Sequence, residues 1–285
     1  GVSTFSGKSG VQIPSGPTDF RRQDGGGRGR GVFGSGATPS STNVMDLIEI
    51  ATTGNSVDFG NDVMSRQENY AAFGSSTRGV NAGGYSNGSS TTTKINYFTF
   101  SSQGGMNEFG DLITAVYSNA GTSNQIRGLS FGGSTGSVKI NSIEFVTIAS
   151  TGQANDFGSL TERVSNTGSG VSNGIRAFQM SGNSTEVGDD SKKIHVVTIA
   201  TTGDAVKFGE LITARNAHAG CSNSTRGLVF CGQESPAGGN LNSIEYFELA
   251  SEGNALDFGD ASATKDYLGA LASSTRGVCG GGQTP

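Results

Sequence analysis

The sequence predicts an all-β protein, and three observations lead to that class. Five near-copies of a module of about 49 residues follow one another along the chain. Within each copy, β-branched and aromatic residues form short runs that Gly, Asn, Ser and Thr separate, as expected of strands joined by turns. The stretch that leads into each new copy is rich in Gly, Ser and Asn, which disfavours a long helix there.

The first repeated feature is an arginine that precedes a short Gly-rich apolar run. It occurs six times, with successive spacings of 48, 49, 49, 50 and 50 residues. A repeat of this length is typical of protein architectures that stack one supersecondary unit on the next. The arginines are Arg30, Arg78, Arg127, Arg176, Arg226 and Arg276.

The second repeated feature is the tripeptide Asp-Phe-Gly or a variant of it. In all five copies another glycine stands five residues before the phenylalanine, and the spacing never changes. Neither chance nor low sequence complexity would preserve such a spacing, so it indicates a structural constraint. The phenylalanines are Phe59, Phe109, Phe157, Phe208 and Phe258.

The third repeated feature is a six-residue run that is apolar at its first, third, fourth and sixth positions. Successive side chains of a strand face opposite sides, so this pattern places apolar residues on both faces. A strand with one solvated face would alternate more cleanly. The sequence therefore predicts a strand between two packed layers. The five copies span residues 45–50, 95–100, 143–148, 194–199 and 244–249.

Four strand-length pieces in about 49 residues match one blade of a β-propeller. Six arginine strands but only five complete modules leave two blade counts open. With six blades, residues 1–29 complete a closing blade around residues 276–282, using the short apolar pieces at 2–5, 11–13 and 19–20. With five blades, the last strand is redundant. A β-solenoid is the third alternative, and a closed ring is favoured because an open stack needs capping units.

These features resemble the kelch-like repeat proteins encoded by marine bacteriophages, especially cyanophages. The resemblance covers residues 30–285, as a single propeller domain of five full repeats plus a final strand. It rests on the arginine strands, the Thr-Ile-Ala-Thr-Thr-Gly run at 198–203, the Asp-Phe-Gly pieces and the double glycines at 83–84, 132–133 and 280–281. The chain departs from ordinary kelch repeats in having no Trp and no regular Tyr after the double glycine.

The resemblance implies a non-enzymatic virion structural protein, a tail, fibre or capsid-decoration component. Its implied partners are other virion proteins in a symmetric assembly and a glycan or protein on the host surface. It implies location in the virion. The alternative from the Gly-, Ser-, Thr- and Asn-rich composition is a secreted, lectin-like propeller that binds glycan.

Composition argues against several other functions. The formal net charge is −5 and there is no basic stripe, which disfavours a nucleic-acid binder. The sequence contains no run of 18 apolar residues, so no membrane span is predicted. The three cysteines, Cys221, Cys231 and Cys279, are odd in number and lack metal-site spacing, so neither a disulfide framework nor a metal or other cofactor is expected.

Catalytic groups are sparse, and we expect no enzymatic activity. His195 and His218 are the only histidines and fall at different positions of the module, so structural roles are expected. Acidic residues precede the motif phenylalanine in every copy except the fourth. One interpretation is a carboxylate ring that holds a cation; the favoured one is pairing with the repeated arginines or turn capping. The residues at this position are Asp58, Glu108, Asp156, Lys207 and Asp257.

The segments that differ most between copies lie between the arginine strand and the Ile-rich strand. They are polar, and loops on a rigid scaffold are the usual place of recognition, although simple solvent-exposed linkage remains an alternative. They span residues 35–43, 85–94, 134–141, 183–193 and 233–242. The candidate binding residues within them are Tyr85, Asn87, Thr135, Asp189, Asp190, Gln233 and Glu234.

Overall fold

The structure is a computed structural model that describes residues 29–37, 41–67, 70–86, 90–102, 104–168, 170–234 and 238–284. These residues form strands and turns and contain no helix, and every strand pair is antiparallel. The predicted all-β class is therefore confirmed. No helix long and apolar enough to cross a membrane occurs in this part of the chain.

The described residues form 25 strands. They are β1 (Arg30–Ala37), β2 (Ser41–Glu49), β3 (Val57–Asn61), β4 (Arg66–Gln67), β5 (Ala71–Gly74), β6 (Arg78–Ala82), β7 (Tyr85–Ser86), β8 (Ser90–Thr99), β9 (Asn107–Val116), β10 (Ala120–Ser123), β11 (Arg127–Phe131), β12 (Ile140–Thr147), β13 (Asn155–Ser165), β14 (Val171–Ser172), β15 (Arg176–Ser184), β16 (Asp190–Thr198), β17 (Val206–Glu210), β18 (Ala219–Ser222), β19 (Arg226–Phe230), β20 (Gln233–Glu234), β21 (Gly239–Asn240), β22 (Ser243–Glu248), β23 (Leu256–Asp260), β24 (Asp266–Ala272) and β25 (Gly277–Gln283).

A complete module is a meander of four strands, here called in chain order the lead, Arg, Ile and Phe strands. Modules 2 to 5 are β5-β6-β8-β9, β10-β11-β12-β13, β14-β15-β16-β17 and β18-β19-β22-β23. Module 1 shows its Arg, Ile and Phe strands, β1-β2-β3, and module 6 shows a lead strand and an Arg strand, β24-β25. The three repeated sequence features therefore fall on three neighbouring strands.

The Ile strand is packed on both faces, as its pattern predicts. In β12 and the residue just after it, Ile143, Val146 and Ile148 are at most 2% exposed. Phe145, at the third position of the run, packs against the core cluster that contains Ile143, whereas Val146 and Ile148 belong to a second cluster. The two faces of the strand therefore bury apolar side chains in two different cores, and such burial is the main favourable term in folding.

The motif phenylalanine occupies a β-bulge in every Phe strand. In module 3, Ile143 pairs with Gly158 and Glu144 pairs with Asp156, so Phe157 is the extra residue. A bulge re-aims a side chain, and the Phe157 ring is 2% exposed. The other four modules have their register shift between residues 45 and 46, 95 and 96, 194 and 195, and 244 and 245.

The Phe strands of modules 1 to 4 also bond to the module that follows them. Between modules 2 and 3, the backbone N–H of Gly152 donates to the Phe109 carbonyl at 2.9 Å, and that of Ala154 donates to the Asp111 carbonyl at 2.9 Å. A Cβ at Gly110 would overlap the carbonyl of Gly152. This contact explains the invariant five-residue spacing. The glycine that precedes the motif in one module, such as Gly152, lies against the Phe-Gly pair of the module before it.

The lead strands lie side by side in chain order. Between β5 and β10, the Ser123 hydroxyl donates to the Gly74 carbonyl at 2.6 Å. Between β14 and β18, the Ser222 hydroxyl donates to the Ser172 carbonyl at 2.8 Å. Since neighbouring lead strands pack this closely, each module is held to the next at this strand as well as at its Phe strand.

Module 6 packs against module 1, so the series of modules returns to its start. Nη1 of Arg276 donates to the Ile50 carbonyl at 3.1 Å, across 226 residues of chain. Leu271 fills the space beside Gly31, where a Cβ would overlap its side chain. The predicted contribution of residues 1–29 to a closing blade lies, apart from Gly29, outside the described residues and stays a prediction.

Candidate binding surface

The repeated arginines connect modules. Nη1 of Arg78 in module 2 donates to the carbonyls of Ile148 and Ala149 in module 3, at 2.9 Å each, and its guanidinium lies 4.5 Å from the ring centroid of Tyr97. Both carbonyls follow the Ile strand of the neighbour. Arg127 donates to the carbonyls of Ile199 and Ala200 at 3.0 Å each, and Arg176 donates to that of Ala250 at 2.7 Å. These contacts give the arginines a role in joining the modules.

Arg226 differs from this pattern. Arg226 pairs with Glu248 of its own module at 2.9 Å, and both side chains are about half exposed (50% and 45%). The guanidinium of Arg30 lies 6.0 Å from the Phe100 ring of module 2. Arg226 is the arginine whose expected carbonyl partners would belong to an Ile strand of module 6, which the described residues do not contain.

The motif phenylalanines divide in the same way. Phe59, Phe109, Phe157 and Phe208 are at most 4% exposed, whereas Phe258 of module 5 is 54% exposed. Its ring contacts Tyr246 of the same module at a centroid distance of 6.1 Å. Within the described part of the chain, the end of module 5 thus lacks the cover that the other four Phe strands receive.

The charged residues before the motif phenylalanine are exposed on the last strand of each module. All five positions, Lys207 included, face solvent. The repeated arginines, with which pairing was expected, instead donate to the carbonyls and to Glu248 named above. A charge of either sign on an edge strand discourages pairing with another chain, which accounts for a lysine in the fourth copy. Among the described residues, no group of three His, Cys, Asp or Glu could hold a metal ion.

The segments that join one module to the next carry residues that the sequence did not single out. Arg66 follows Phe59 by seven residues and is fully buried. Its Nε donates to Asp62 at 3.0 Å, and its two terminal nitrogens donate to the carbonyls of Gly83 and Lys94. Those carbonyls flank the variable loop of module 2, so Arg66 clamps the base of that loop.

Arg215 occupies the same place after Phe208 and is also fully buried. Its Nη1 donates to the carbonyls of Cys231 (2.8 Å) and Ser243 (3.3 Å), which flank the variable loop of module 5. Burial lowers the pKa of Arg215, and its ion pair with Glu245 opposes that effect. The ion pair offsets the cost of burying the charged Arg215 guanidinium, which would be large without a partner.

Lys265 holds the corresponding position after Phe258. Its Nζ donates to the Gly281 carbonyl at 2.9 Å, the equivalent of the Gly83 and Cys231 carbonyls. A cation seven residues after the motif phenylalanine in three of five copies was the available signal in the sequence. It was easy to miss because Val116 and Val164 stand there in the other two copies.

The predicted binding residues lie on the variable loops, partly tied into structure. Tyr85 is half-buried and meets the Tyr117 ring edge-on at 5.2 Å between centroids. The Thr135 hydroxyl accepts the Val138 N–H at 3.3 Å at a hairpin tip. Asp189 accepts the N–H of Asp190 at 2.8 Å. Gln233 and Glu234 form β20 and are half-buried, and Asn87 lies outside the described residues.

Hydrogen bonds connect the loops of successive modules into one surface. Tyr117 exchanges backbone hydrogen bonds with Ser134 of the module 3 loop (3.0 and 2.8 Å) and packs on Tyr85 of the module 2 loop. Nζ of Lys139 donates to Asn183 of the module 4 loop. The module 2, 3 and 4 loops are therefore physically continuous.

The same surface extends to module 5. Buried Asp190 accepts hydrogen bonds from the side-chain amides of Asn183 (3.1 Å) and Asn216 (2.9 Å). Asn216 exchanges backbone hydrogen bonds with Gln233 at 2.9 Å in each direction. Asp190 is thus a structural link between two loops, which revises its predicted role as an exposed contact residue. We call the connected loops of modules 2 to 5 the loop face.

The two histidines are buried and have different surroundings. His195 lies between Thr161 (2.7 Å) and Gln179 (2.8 Å), and burial lowers its pKa to about 4. Burial lowers the pKa of His218 to about 3, with nearby Arg215 contributing. Both rings are therefore neutral near pH 7, and the bonds of His195 give it the structural role that its place in the repeat predicts.

The cysteines are free thiols. Cys221 and Cys231 are buried and Cys279 is half-buried. Burial raises the pKa of the Cys231 and Cys279 thiols. Because the thiolate is the reactive form, these thiols are poorly suited to act as nucleophiles near neutral pH.

Comparison with known proteins adds no identity. No protein-family model matches the chain, and no curated protein matches it.

Proposed function

We propose that the chain is a six-bladed β-propeller that acts as a binding and assembly scaffold, with the loop face as its contact surface. Modules 2 to 5 each supply one four-stranded blade, and the described strands of modules 1 and 6 supply parts of the remaining two. The lead strands line the axis, where neighbouring strands approach closely enough to share the hydrogen bonds of Ser123 and Ser222. The Phe strands form the outer rim, where an edge charge keeps neighbouring molecules from pairing with them.

The observation that carries this proposal is the return of the series to its first module. The bond from Arg276 to the Ile50 carbonyl repeats, over 226 residues, the bond that Arg78 and Arg127 make to their neighbours. An open solenoid would have no reason to place its last unit against its first. Six arginine strands at equivalent places support six blades over five.

The proposed biological setting is the virion, as a tail, fibre or capsid-decoration component. The repeat resemblance suggests this setting, and the loop face supports a contact role because its polar residues differ between modules. Two loops are clamped at their bases by Arg66 and Arg215. Such pre-organisation lowers the entropic cost of binding a partner.

Cross-linking mass spectrometry of the assembled particle tests the assembly role. Lys139 and Lys192 lie beside the loop face, whereas Lys207 lies on the Phe strand opposite His195, nearer the other end of the module. We expect Lys139 and Lys192, but not Lys207, to cross-link to other virion proteins at symmetry-related positions. Equal labelling of all three lysines, or absence of the chain from purified particles, contradicts the proposal.

Glycan binding is the second candidate, and the Tyr85–Tyr117 pair favours it. Both rings are half-buried, Tyr85 lies on the loop face and Tyr117 packs beside it, and sugars pack on aromatic rings that solvent reaches. A glycan array probed with the purified chain tests it. Binding that Tyr85→Ala abolishes, with unchanged thermal stability, supports a lectin-like role, and an array without signal opposes it.

A further inference from the structure

Four of the five Phe strands show what covers a completed junction. At each of these junctions a glycine turn of the next module lies over the Phe-Gly pair, and the motif ring is buried. In each complete module the Ile strand also pairs along the whole length of the Arg strand of the same module, as β12 does along β11. The covering unit is always the same: an Ile strand, a turn with glycine, and the start of the next Phe strand.

The end of module 5 presents the same receiving surface without a cover among the described residues. A Cβ at Gly259 would meet nothing within 4 Å, whereas at Gly60, Gly110, Gly158 and Gly209 it would overlap the glycine carbonyl of the next module. Phe258 is 54% exposed. Arg226, whose counterparts donate to the next module, is in an exposed ion pair instead.

Module 6 supplies the second half of that surface. β25 pairs with β24 along one edge, and among the described strands nothing pairs with its other edge, the edge where β11 receives β12. Residues 277–280 are half-buried or exposed, while the equivalent residues 128–131 of β11 are all buried. An unpaired strand edge is a template for another strand.

We propose that the edge of β25 and the exposed end of module 5 together bind a β-hairpin that carries the repeat's own pattern. Its first strand has apolar residues at positions 1, 3, 4 and 6 and pairs with β25. The carbonyls after that strand receive Arg226, and the glycine turn lies on Gly259 and covers Phe258. This inference rests on the proposed ring of blades and is independent of the virion role.

The pattern of the occupant argues for a repeat-bearing hairpin over other sources. Residues 1–28 contain no glycine five residues before a Phe-Gly pair, so they do not reproduce the unit seen at the four covered junctions. In a second copy of the chain, all five such hairpins are already part of their own modules. Both sources are distinguishable outcomes of the test.

A labelled synthetic peptide copying residues 140–158 is the probe, titrated into the full chain and followed by fluorescence anisotropy. We expect saturable one-to-one binding and slower amide hydrogen exchange in residues 277–283. The same peptide with Val146→Asp, which puts a charge at the fourth position of the run, is not expected to bind.

Two chain variants locate the site. Arg226→Ala is expected to weaken binding about tenfold, since a charge-assisted hydrogen bond is lost. Arg163→Ala removes a comparable exposed ion pair, with Glu186 (3.1 Å), and is not expected to change the affinity for the peptide. Because both arginines are exposed, neither change should unfold the chain.

Absence of saturable binding, or binding that Arg226→Ala leaves unchanged, overturns the proposal. Binding that is seen only after residues 1–28 are removed shows that this segment fills the site, and a concentration-dependent dimer shows that a second copy does; either result overturns the proposed occupant. Small-angle scattering of the free chain tests the ring separately, because an elongated particle contradicts the propeller whatever the peptide does.

Discussion

The junction between modules 2 and 3 and the end of module 5 are built from the same sequence motif, and they differ in how far the described residues cover them. At the first, Phe109 is 4% exposed and Gly110 lies against Gly152. At the second, Phe258 is 54% exposed and Gly259 has open space beside it. The same Phe-Gly pair therefore contributes to stability at the covered junction and forms an exposed surface at the end of module 5.

This difference teaches that the repeat motif encodes an interface between neighbours more than the interior of one module. The carbonyls that receive most of the repeated arginines, the N–H that bonds to the carbonyl of the motif phenylalanine at the first three junctions, and part of the cover of the motif ring come from the next module. The stability of such an array depends on neighbour interfaces as well as on each unit. Substitutions at equivalent positions should therefore have unequal effects.

The largest difference is expected at the motif phenylalanine. Phe109→Ala should lower the free energy of unfolding by about 3–5 kcal/mol, because it leaves a cavity at a filled junction. Phe258→Ala should lower it by about 1 kcal/mol or less, because the ring is already half in water. Chemical denaturation of both variants measures the difference, and equal losses would show that module 5 is covered in solution.

Acid should weaken the filled junctions through their buried histidines. His195 has a pKa of about 4 in the folded chain and about 6.5 when unfolded, so the unfolded state binds more protons between these values. Its contribution is complete above pH 6.5 and is lost as the pH falls toward 4, by roughly 3 kcal/mol. Thermal unfolding between pH 7 and 4 measures it.

The control for this pH effect is His195→Gln, which keeps a hydrogen-bonding side chain and removes the titration. It should flatten part of the pH profile, and His218, whose pKa is lowered to about 3, should contribute to the part that remains. A variant profile identical to that of the parent would exclude His195 as a source.

A smaller effect is expected at the motif glycine. Gly110→Ala should destabilise the chain by about 1–3 kcal/mol, because the new methyl group would overlap the Gly152 carbonyl. The matched change is Gly253→Ala, in a turn where a Cβ meets nothing within 4 Å. Its effect should be close to zero. Comparable melting temperatures for the two variants would remove the close approach as the reason for the glycine.

The smallest effects are expected at the arginines. Arg78→Ala should cost about 1–2 kcal/mol, because it removes two hydrogen bonds to carbonyls and a guanidinium that lies over Tyr97. Arg226→Ala should cost at most about 1 kcal/mol, as is usual for an exposed ion pair. Urea titrations of the two variants decide the order, and a larger loss at Arg226 would reverse the comparison.

Much of the fold could be predicted from the repeat. The alternation within residues 143–148 predicted a strand buried on both faces, and Ile143 and Val146 confirm it. The five-residue glycine spacing was recognised as a constraint, although its cause could not be inferred, because the glycine and the Phe-Gly pair that meet belong to different modules.

The candidate site was predicted less completely. The variable loops were identified from their differences, but Asp190 is a buried link and not an exposed contact. Arg66 and Arg215 were missed because the carbonyls that they bind lie 16 to 28 residues away along the chain. Backbone carbonyls have no sequence signature, so a side chain whose only role is to bind them leaves little trace.

The sequence by itself determined the class, the repeat length and the identity of the strands, because strand formation follows from the local alternation of apolar and polar residues. Only the tertiary structure decided which module covers which, that module 6 meets module 1, and which motif the described residues leave uncovered. These contacts join modules of similar sequence. Local sequence cannot tell which of several similar modules packs against a given one.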